Sequence, residues 1–402
     1  MKTSCSKIPL NYKILLCART FSKKLFKVGR ASLPKHFVIK GEKFMAEEMN
    51  PYERWYALTQ HKDIDRIPSF NHLASATIPL MHKYKVKWPE AHFDPQMMAR
   101  LAEASWLECK LEGLCVPFDL VSEAEPFGVL CDYHPDKILW PSCTHHADKW
   151  EPYDLKIPED PANAMRIPVI RKALNILNEN YYGKVPVSAY INCPYTSYSS
   201  YVGETTDILI WCRTDPEKIE QMWEVLLDYY VDIANIFKEA GADSITLREE
   251  GTSSDNMSPK HFRTLIKPHL TEMLKKIKRP NLLHICGLTT PIIGDMIECG
   301  AELISFEERT KTTEGDEERN KKCAELGIPR YPIGGNLSAF GLLKEGPVDR
   351  VNGAVRRLLE QGIDFTMPGC DWYIEIPIEH MCEFVKATIE WSPVAISKFI
   401  KK

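Results

Sequence analysis

The chain has 402 residues, 44% of them apolar and 26% charged, which excludes intrinsic disorder and collagen-like repeats and leaves enough material for a sizeable core. Lys and Arg number 51 against 55 Asp and Glu, a formal net charge of -4, so no global field attracts a polyanion and no nucleic-acid partner is expected. Apolar runs fall short of the roughly 20 residues that span a bilayer. The 13 cysteines are scattered, with no small-domain framework and no secretory signal ending in a small-residue cleavage site. We therefore expect no membrane helix, and free or metal-bound thiols in a reducing, cytoplasmic location.

Residues 1–44 stand apart, with eleven Lys or Arg against one acid, Glu42. A transit-like presequence, a basic arm for nucleic acid and a start assigned upstream of the true one all fit that composition. The acidic, helical sequence after Met45 favours the third. The folded domain is accordingly expected over residues 45–402. It opens with an amphipathic helix from Pro51 to Gln60, then the extended Arg66-Ile67-Pro68-Ser69-Phe70.

From there helices and strands alternate. A helix from Pro95 to Gly113 leads into the strand Leu114–Pro117, and a helix from Asn163 to Tyr181 into Val185–Ile191. Helices follow at 216–240, 259–277, 289–298, 316–326 and 347–361, with strands at 244–247, 282–286, 303–306, 331–333 and 365–367 between or after them. A last helix is expected at 377–388. Strands separated by single helices call for βαβ units and a parallel sheet. Seven or eight such units favour a closed (β/α)8 TIM-type barrel with an N-terminal helical extension. A doubly wound dinucleotide fold would need a Gly-x-Gly-x-x-Gly turn, and Gly334-Gly335-Asn336 reads only as a loop.

The sharpest local feature is His284-Ile285-Cys286-Gly287 at a strand end. Residues two apart on a strand share a face, so His284 and Cys286 project together at the C-terminal rim, where barrels place their chemistry. Cys370 ends another strand at the same rim. Cys2His with one open position is a catalytic zinc set, although a buried, inert thiol is an equally ordinary role for any one cysteine. Glu249 and Glu250 follow a third strand, with Asp255 beyond them. These carboxylates can be solvated, cap the next helix, accept a proton, or supply a fourth zinc ligand; for the ligand we favour Glu249.

The ordered segments Val116–Glu125, Asn192–Thr196 with Val202-Gly203-Glu204, Glu249–Pro259, His284–Gly287, Gly335-Asn336-Leu337 and Pro368-Gly369-Cys370 together resemble the uroporphyrinogen decarboxylase superfamily. Within it, the chain is more similar to the zinc-dependent, corrinoid-linked methyltransferases. The likeness runs from about Pro51 to Thr388. Decarboxylation is not expected, because Asn71-His72-Leu73-Ala74-Ser75 stands where the decarboxylases carry Arg-Gln-Ala-Gly-Arg. The resemblance implies Zn2+ on His284, Cys286 and Cys370, and a corrinoid (cobalamin) carried by a separate partner protein, since no Asp-x-His-x-x-Gly motif is present here. It also makes a homodimer an expectation.

Two directions of methyl transfer fit that branch. One takes the methyl group of a methoxylated aromatic compound to a Co(I) corrinoid, an O-demethylation. The other takes it from methyl-Co(III) to a thiol such as coenzyme M. The segment Asp371-Trp372-Tyr373 is bulky where coenzyme M enzymes commonly carry Gly-Ile-Pro-Pro, and Tyr190, Tyr195, Tyr198 and Tyr201 concentrate near the rim. Aromatic packing against a flat ring therefore favours the methoxyarene reading, with Tyr190, Tyr195, Tyr198 and Trp372 binding substrate and Glu249, Glu250 and Asp255 as acid–base groups. Core packing is the ordinary alternative for each aromatic. Asp119 and Glu123 are expected to orient the zinc ligands from behind. A barrel without catalysis, serving as a binding module, is the remaining alternative.

Overall fold

The computed structural model describes residues 48–399; the basic leader at 1–44 lies outside them. The described strands are β1 (Leu114–Val116), β2 (Leu130–Asp132), β3 (Ser142–His145), β4 (Val187–Asn192), β5 (Ser244–Arg248), β6 (Asn281–Ile285), β7 (Leu303–Phe306), β8 (Ile333–Leu337) and β9 (Phe365–Pro368). Seven of them pair in parallel in the order β1-β4-β5-β6-β7-β8-β9, while β2 and β3 form a separate antiparallel hairpin. Ring closure needs an eighth stave, and two residues provide it. Ser69 bridges to Thr366 of β9 and Phe70 to Glu112 just before β1, both parallel. The Phe70 amide donates to the Thr366 carbonyl at 3.0 Å and the Glu112 amide to Ser69 at 2.9 Å. The chain is a (β/α)8 barrel, with its first stave reduced to a pair of bridges.

Every barrel strand is buried along its length, as parallel strands with helices outside and side chains inside must be. The outer helices present narrow apolar stripes: Asp349–Glu360 buries Val351, Val355, Leu358 and Leu359, the i, i+4, i+7, i+8 pattern of one helical face. The N-terminal helix, Pro51–Thr59, starts with a capping box in which Asn50 accepts from the Glu53 amide at 2.9 Å and Glu53 accepts from the Asn50 amide at 2.8 Å. It closes the lower end of the barrel, packing Trp55 and Leu58 against Phe70, Leu282, Leu303 and Phe365.

Three details differ from the sequence reading. Gly334 and Gly335 lie inside β8 and not in a loop, because the Phe365 ring occupies the space where a Cβ on Gly334 would sit; that strand therefore begins at Ile333 rather than ending there. The hairpin β2–β3 and the helix Thr205–Thr214 were not anticipated. The helix expected at 259–277 is interrupted by a wide turn at Phe262–Ile266. No helix among the described residues is long and apolar enough to cross a membrane.

Buried charge ties the closing stave to its neighbours. Arg54, fully buried on the capping helix, reaches Glu112 at 2.9 Å and Asp65 at 2.7 and 3.0 Å, and Arg66 also pairs with Glu112. Removing one partner of a buried ionic cluster leaves the others uncompensated. Glu112→Gln is expected to cost about 3–5 kcal/mol, read as a lower urea midpoint at unchanged slope; an unchanged midpoint would show that the network holds nothing. A second prediction concerns pH. His72 packs edge-on to Phe70 at 5.0 Å, with both ring nitrogens buried and without a hydrogen-bond partner, and burial pushes its pKa down to about 3. An unfolded imidazole titrates near 6.5, so the unfolded chain takes up the proton first. This residue should therefore subtract up to roughly 1.4 kcal/mol per pH unit as pH falls from about 6.5 towards 3. Denaturant melts of His72→Leu across that window should show the pH slope reduced by about one proton.

Candidate metal centre and active site

β6 brings His284 to the barrel's C-terminal rim and Cys286 just beyond the strand end. His284 is fully buried, and its Nδ1 lies 2.8 Å from Ser305 Oγ, its register partner on β7. Nε2 is thereby turned towards Cys286, whose Sγ lies 3.0 Å away. Cys370, delivered by the end of β9, places its Sγ 3.2 Å from that of Cys286. Glu250 completes the group: one donor atom from each of Glu250, His284, Cys286 and Cys370 lies within 4.8 Å of every other. Imidazole, two thiols and a carboxylate suit zinc, and a tetrahedral ion with ordinary bond lengths spaces its donors about 3.5 to 3.8 Å apart. The His284–Cys286 and Cys286–Cys370 separations are roughly half an ångström shorter than that, and no pair exceeds 4.8 Å, so the side chains would have to adjust to seat an ion. Three of the four donors are partly exposed, so the group opens towards the mouth.

Arg248, the last residue of β5, underpins the cluster. It is fully buried. Its Nε donates to Glu250 at 2.8 Å, its Nη2 pairs with Asp371 at 2.7 Å and approaches Cys370 Sγ at 4.0 Å, and its guanidinium lies 5.0 Å over the Tyr190 ring. Asp371 in turn accepts from the Ala74 amide at 3.0 Å, linking the metal-side loop to the segment after the first stave. Neither Arg248 nor Ser305 was assigned a role from sequence. Both had a signal: each is a polar residue at an inward strand position in register with His284.

Several expected site residues are placed elsewhere. Glu249 is not in the donor group. Its carboxylate is buried and accepts from Thr196 Oγ1 at 2.5 Å, and burial pushes its pKa up to about 8. Asp255 accepts from the Leu288 amide at 2.9 Å and from Arg309 at 2.8 Å, clamping the turn at Gly287, where φ is +79°, and it is not among the donor group. Asp119 does not reach the ligands either. It is ion-paired with Arg166 at 2.9 Å and lies 3.5 Å from His92. Burial opposes its ionisation, but Arg166 prevails and holds the carboxyl well below the usual range. Glu123 accepts from the Asn192 amide at 2.5 Å and from Ser122 at 3.0 Å, and burial moves it up to about 7. These two acids brace the loop after β1. His145 is exposed and pairs with Asp148 at 2.9 Å; the half-buried His146 lies 2.7 Å from the Tyr201 carbonyl, and neither is among the metal donors.

The aromatic residues divide. Tyr195 turns outward to Cys212 at 3.3 Å and Tyr198 to the Trp150 carbonyl, so neither faces the cluster. Tyr190 lies inside the barrel beneath Arg248, its hydroxyl buried without a partner. Trp372 is buried edge-on to Phe384 at 5.5 Å. It also contributes to a cavity of about 160 Å3 beside Cys370, whose other walls are Leu120, Trp140, Asp371 and Tyr373. A larger surface groove of about 510 Å3, between the helices Pro216–Glu239 and Lys267–Lys276, is remote from this chemistry.

Known proteins resemble the chain over most of its length. A methylcobamide:CoM methyltransferase of Methanosarcina barkeri is 30% identical over 339 residues, covering 84% of this chain and 97% of that one. A methylated-thiol–coenzyme M methyltransferase of Methanosarcina mazei is 28% identical over 349 residues, covering 86% and 91%. Among solved structures, a methyltransferase from Methanosarcina mazei superposes with a TM-score of 0.79 at 29% identity, covering 86% of this chain and 99% of that one. The family model for uroporphyrinogen decarboxylase (URO-D) matches residues 50–391, and the chain belongs to that family.

Proposed function

We propose that the chain is a corrinoid-dependent methyltransferase that moves a methyl group from the corrinoid of a separate protein to a small thiol, with zinc held by His284, Cys286, Cys370 and Glu250. The observation that carries this reading is the donor group itself: four ligating atoms converge at the barrel mouth, three of them partly exposed, where an outside reactant can approach. Zinc bound there would lower the pKa of an incoming thiol and present it as a thiolate. The chain's own residues do the rest. Ser305 Oγ lies 2.8 Å from His284 Nδ1; in the tautomer with the proton on Nδ1 it accepts a hydrogen bond from that nitrogen, which leaves the Nε2 lone pair for the metal. Arg248 steadies Glu250 and Asp371 on either side of the cluster, and Leu120, Trp140 and Trp372 give the cavity beside Cys370 its apolar walls.

The relatives are named for methyl transfer to coenzyme M, which supports a thiol acceptor. Two of the four aromatics that favoured a methoxyarene, Tyr195 and Tyr198, turn away from the site. One observation keeps the methoxyarene as a second reading: Trp140, Trp372 and Tyr373 line the cavity, and such walls accept a flat ring. Decarboxylation of a porphyrinogen is not supported, because residues 71–75 offer no arginine for propionate groups.

Two predictions follow from these assignments. Purified protein should bind one zinc ion, measured by elemental analysis after dialysis. Cys286→Ala and Cys370→Ala should lose the ion, Ser305→Ala should weaken it by about 10–100-fold, and Glu249→Gln should retain it; loss in the Glu249 variant would return that residue to the ligand set. The activity test is anaerobic and follows the cobalt spectrum of a methylated corrinoid protein. Loss of its methyl group on adding 2-mercaptoethanesulfonate, absent with Cys370→Ala, is the expected result. Methylation of the Co(I) form by methoxybenzoates, without thiol-dependent demethylation, would replace the thiol reading with the ether reading.

A further inference from the structure

The hairpin of β2 and β3 stands outside the barrel sheet and carries one cysteine on each strand; the Cys143 thiol donates to the His145 carbonyl at 3.4 Å and lies 4.0 Å from that of Tyr201. Cys131 and Cys143 are register partners; both are free and half-buried. Directly opposed residues of an antiparallel pair project to the same side, with Cα atoms about 4.5 or 5.5 Å apart according to their hydrogen bonding. Either separation falls within the roughly 4.4–6.8 Å that a disulfide spans. The ladder slips between Leu130 and Cys131, leaving Thr144 as the extra residue, and its hydroxyl donates to the Leu130 carbonyl at 3.1 Å. This bulge fixes the register beside the pair, so the two cysteine backbones stay opposed. The connection between the strands ends in Trp140, which packs edge-on to Trp88 at 5.2 Å and forms a wall of the cavity beside Cys370.

We propose that Cys131 and Cys143 form a reversible cross-strand disulfide, made by exchange with a small-molecule disulfide, that clips the hairpin supplying Trp140 to the mouth of the barrel. The Cys143 thiolate attacks one sulfur of the external disulfide and releases one external thiol. The Cys131 thiolate then attacks the Cys143 sulfur and releases the second. Two protein thiols are oxidised and one external disulfide is reduced; each released external thiolate takes up the proton given up by the attacking protein thiol, so two external thiols form with no net proton released. Burial raises both protein thiols, Cys131 to about 12, so the exchange is slow near neutral pH and quickens as pH rises. The clip is independent of the methyl-transfer reading, since it depends only on the hairpin.

The test uses the full chain, zinc-loaded, incubated with oxidised glutathione, alkylated, digested and analysed by mass spectrometry. A peptide pair linking Cys131 to Cys143 is expected, together with slower amide hydrogen exchange over residues 130–145. Cys131→Ser should lose the link and accumulate a glutathione adduct on Cys143, with an unchanged thermal melt showing that the fold is intact. Separate adducts at both positions of the wild-type chain, or both thiols unreacted while other cysteines are oxidised, would overturn the proposal.

Discussion

The mouth of the barrel is organised around one buried cation. Arg248 has no access to water, so its charge must be met by protein groups, and Glu250 and Asp371 meet it from two different loops. A buried guanidinium with only one carboxylate would be poorly compensated; with two it becomes a fixed strut. That strut sets the distance between the turn after β5 and the turn after β9, which is also the distance between Glu250 and Cys370. Because Asp371 also accepts from the Ala74 amide, the strut reaches the segment that follows the first stave. The geometry of the donor group is thus held by charge and not by the short loops alone.

The same device recurs where the barrel is weakest. Its first stave contributes only two bridges, too few to close a ring by backbone pairing alone. Arg54 and Arg66 converge on Glu112 at that seam, and Arg54 also holds Asp65. Beside the loop after β1, Arg166 is shared between Asp119 and Glu125 and stacks 4.9 Å from the Tyr133 ring. In each case a planar fork binds two partners that are distant in sequence, which a lysine would do less well. Buried ion clusters of this kind contribute specificity of arrangement more than net stability. The apolar packing of Leu282, Leu303, Phe365 and the capping helix supplies the bulk of the lower core.

Much of this was legible in the sequence, and the failures have definite causes. The period of two on a strand placed His284 and Cys286 together, and the strand–helix alternation placed Cys370 at the same rim. The sequence reading favours Glu249 as the fourth donor, whereas the donor group in the structure contains Glu250, and the parity for that was available: Arg248 is the register partner of His284 and faces inward, so the residue two further on, Glu250, shares its side. The backbone leaves the extended conformation at Glu249, with φ -120° and ψ 53°, yet the turn preserves that side. Tyr195 and Tyr198 misled for the opposite reason. They follow β4 on helical turns, where proximity in sequence to a strand end no longer says which way a side chain points. Asp119 and Glu123 were assigned by position in a motif, and position alone does not reveal a competing partner such as Arg166. The glycines of β8 could be read as a strand only with knowledge of the Phe365 ring from the next stave.

The size of the cavity constrains how two reactants could meet on the proposed chemistry. About 160 Å3 beside Cys370 admits a small thiol or a single ring, but a corrinoid macrocycle is far larger and must remain outside with its carrier protein. The methyl group would then pass at the rim, where Glu250, Cys286 and Cys370 are partly exposed, while the buried His284 and Arg248 fix those groups from below. Such a division asks different things of the two layers. The lower layer must be rigid, and it consists of strand residues with paired charges. The upper layer must admit one reactant from the cavity and face another across the mouth. It is built from turns and from a hairpin outside the barrel sheet, whose Trp140 lies between β2 and β3 and belongs to no barrel strand.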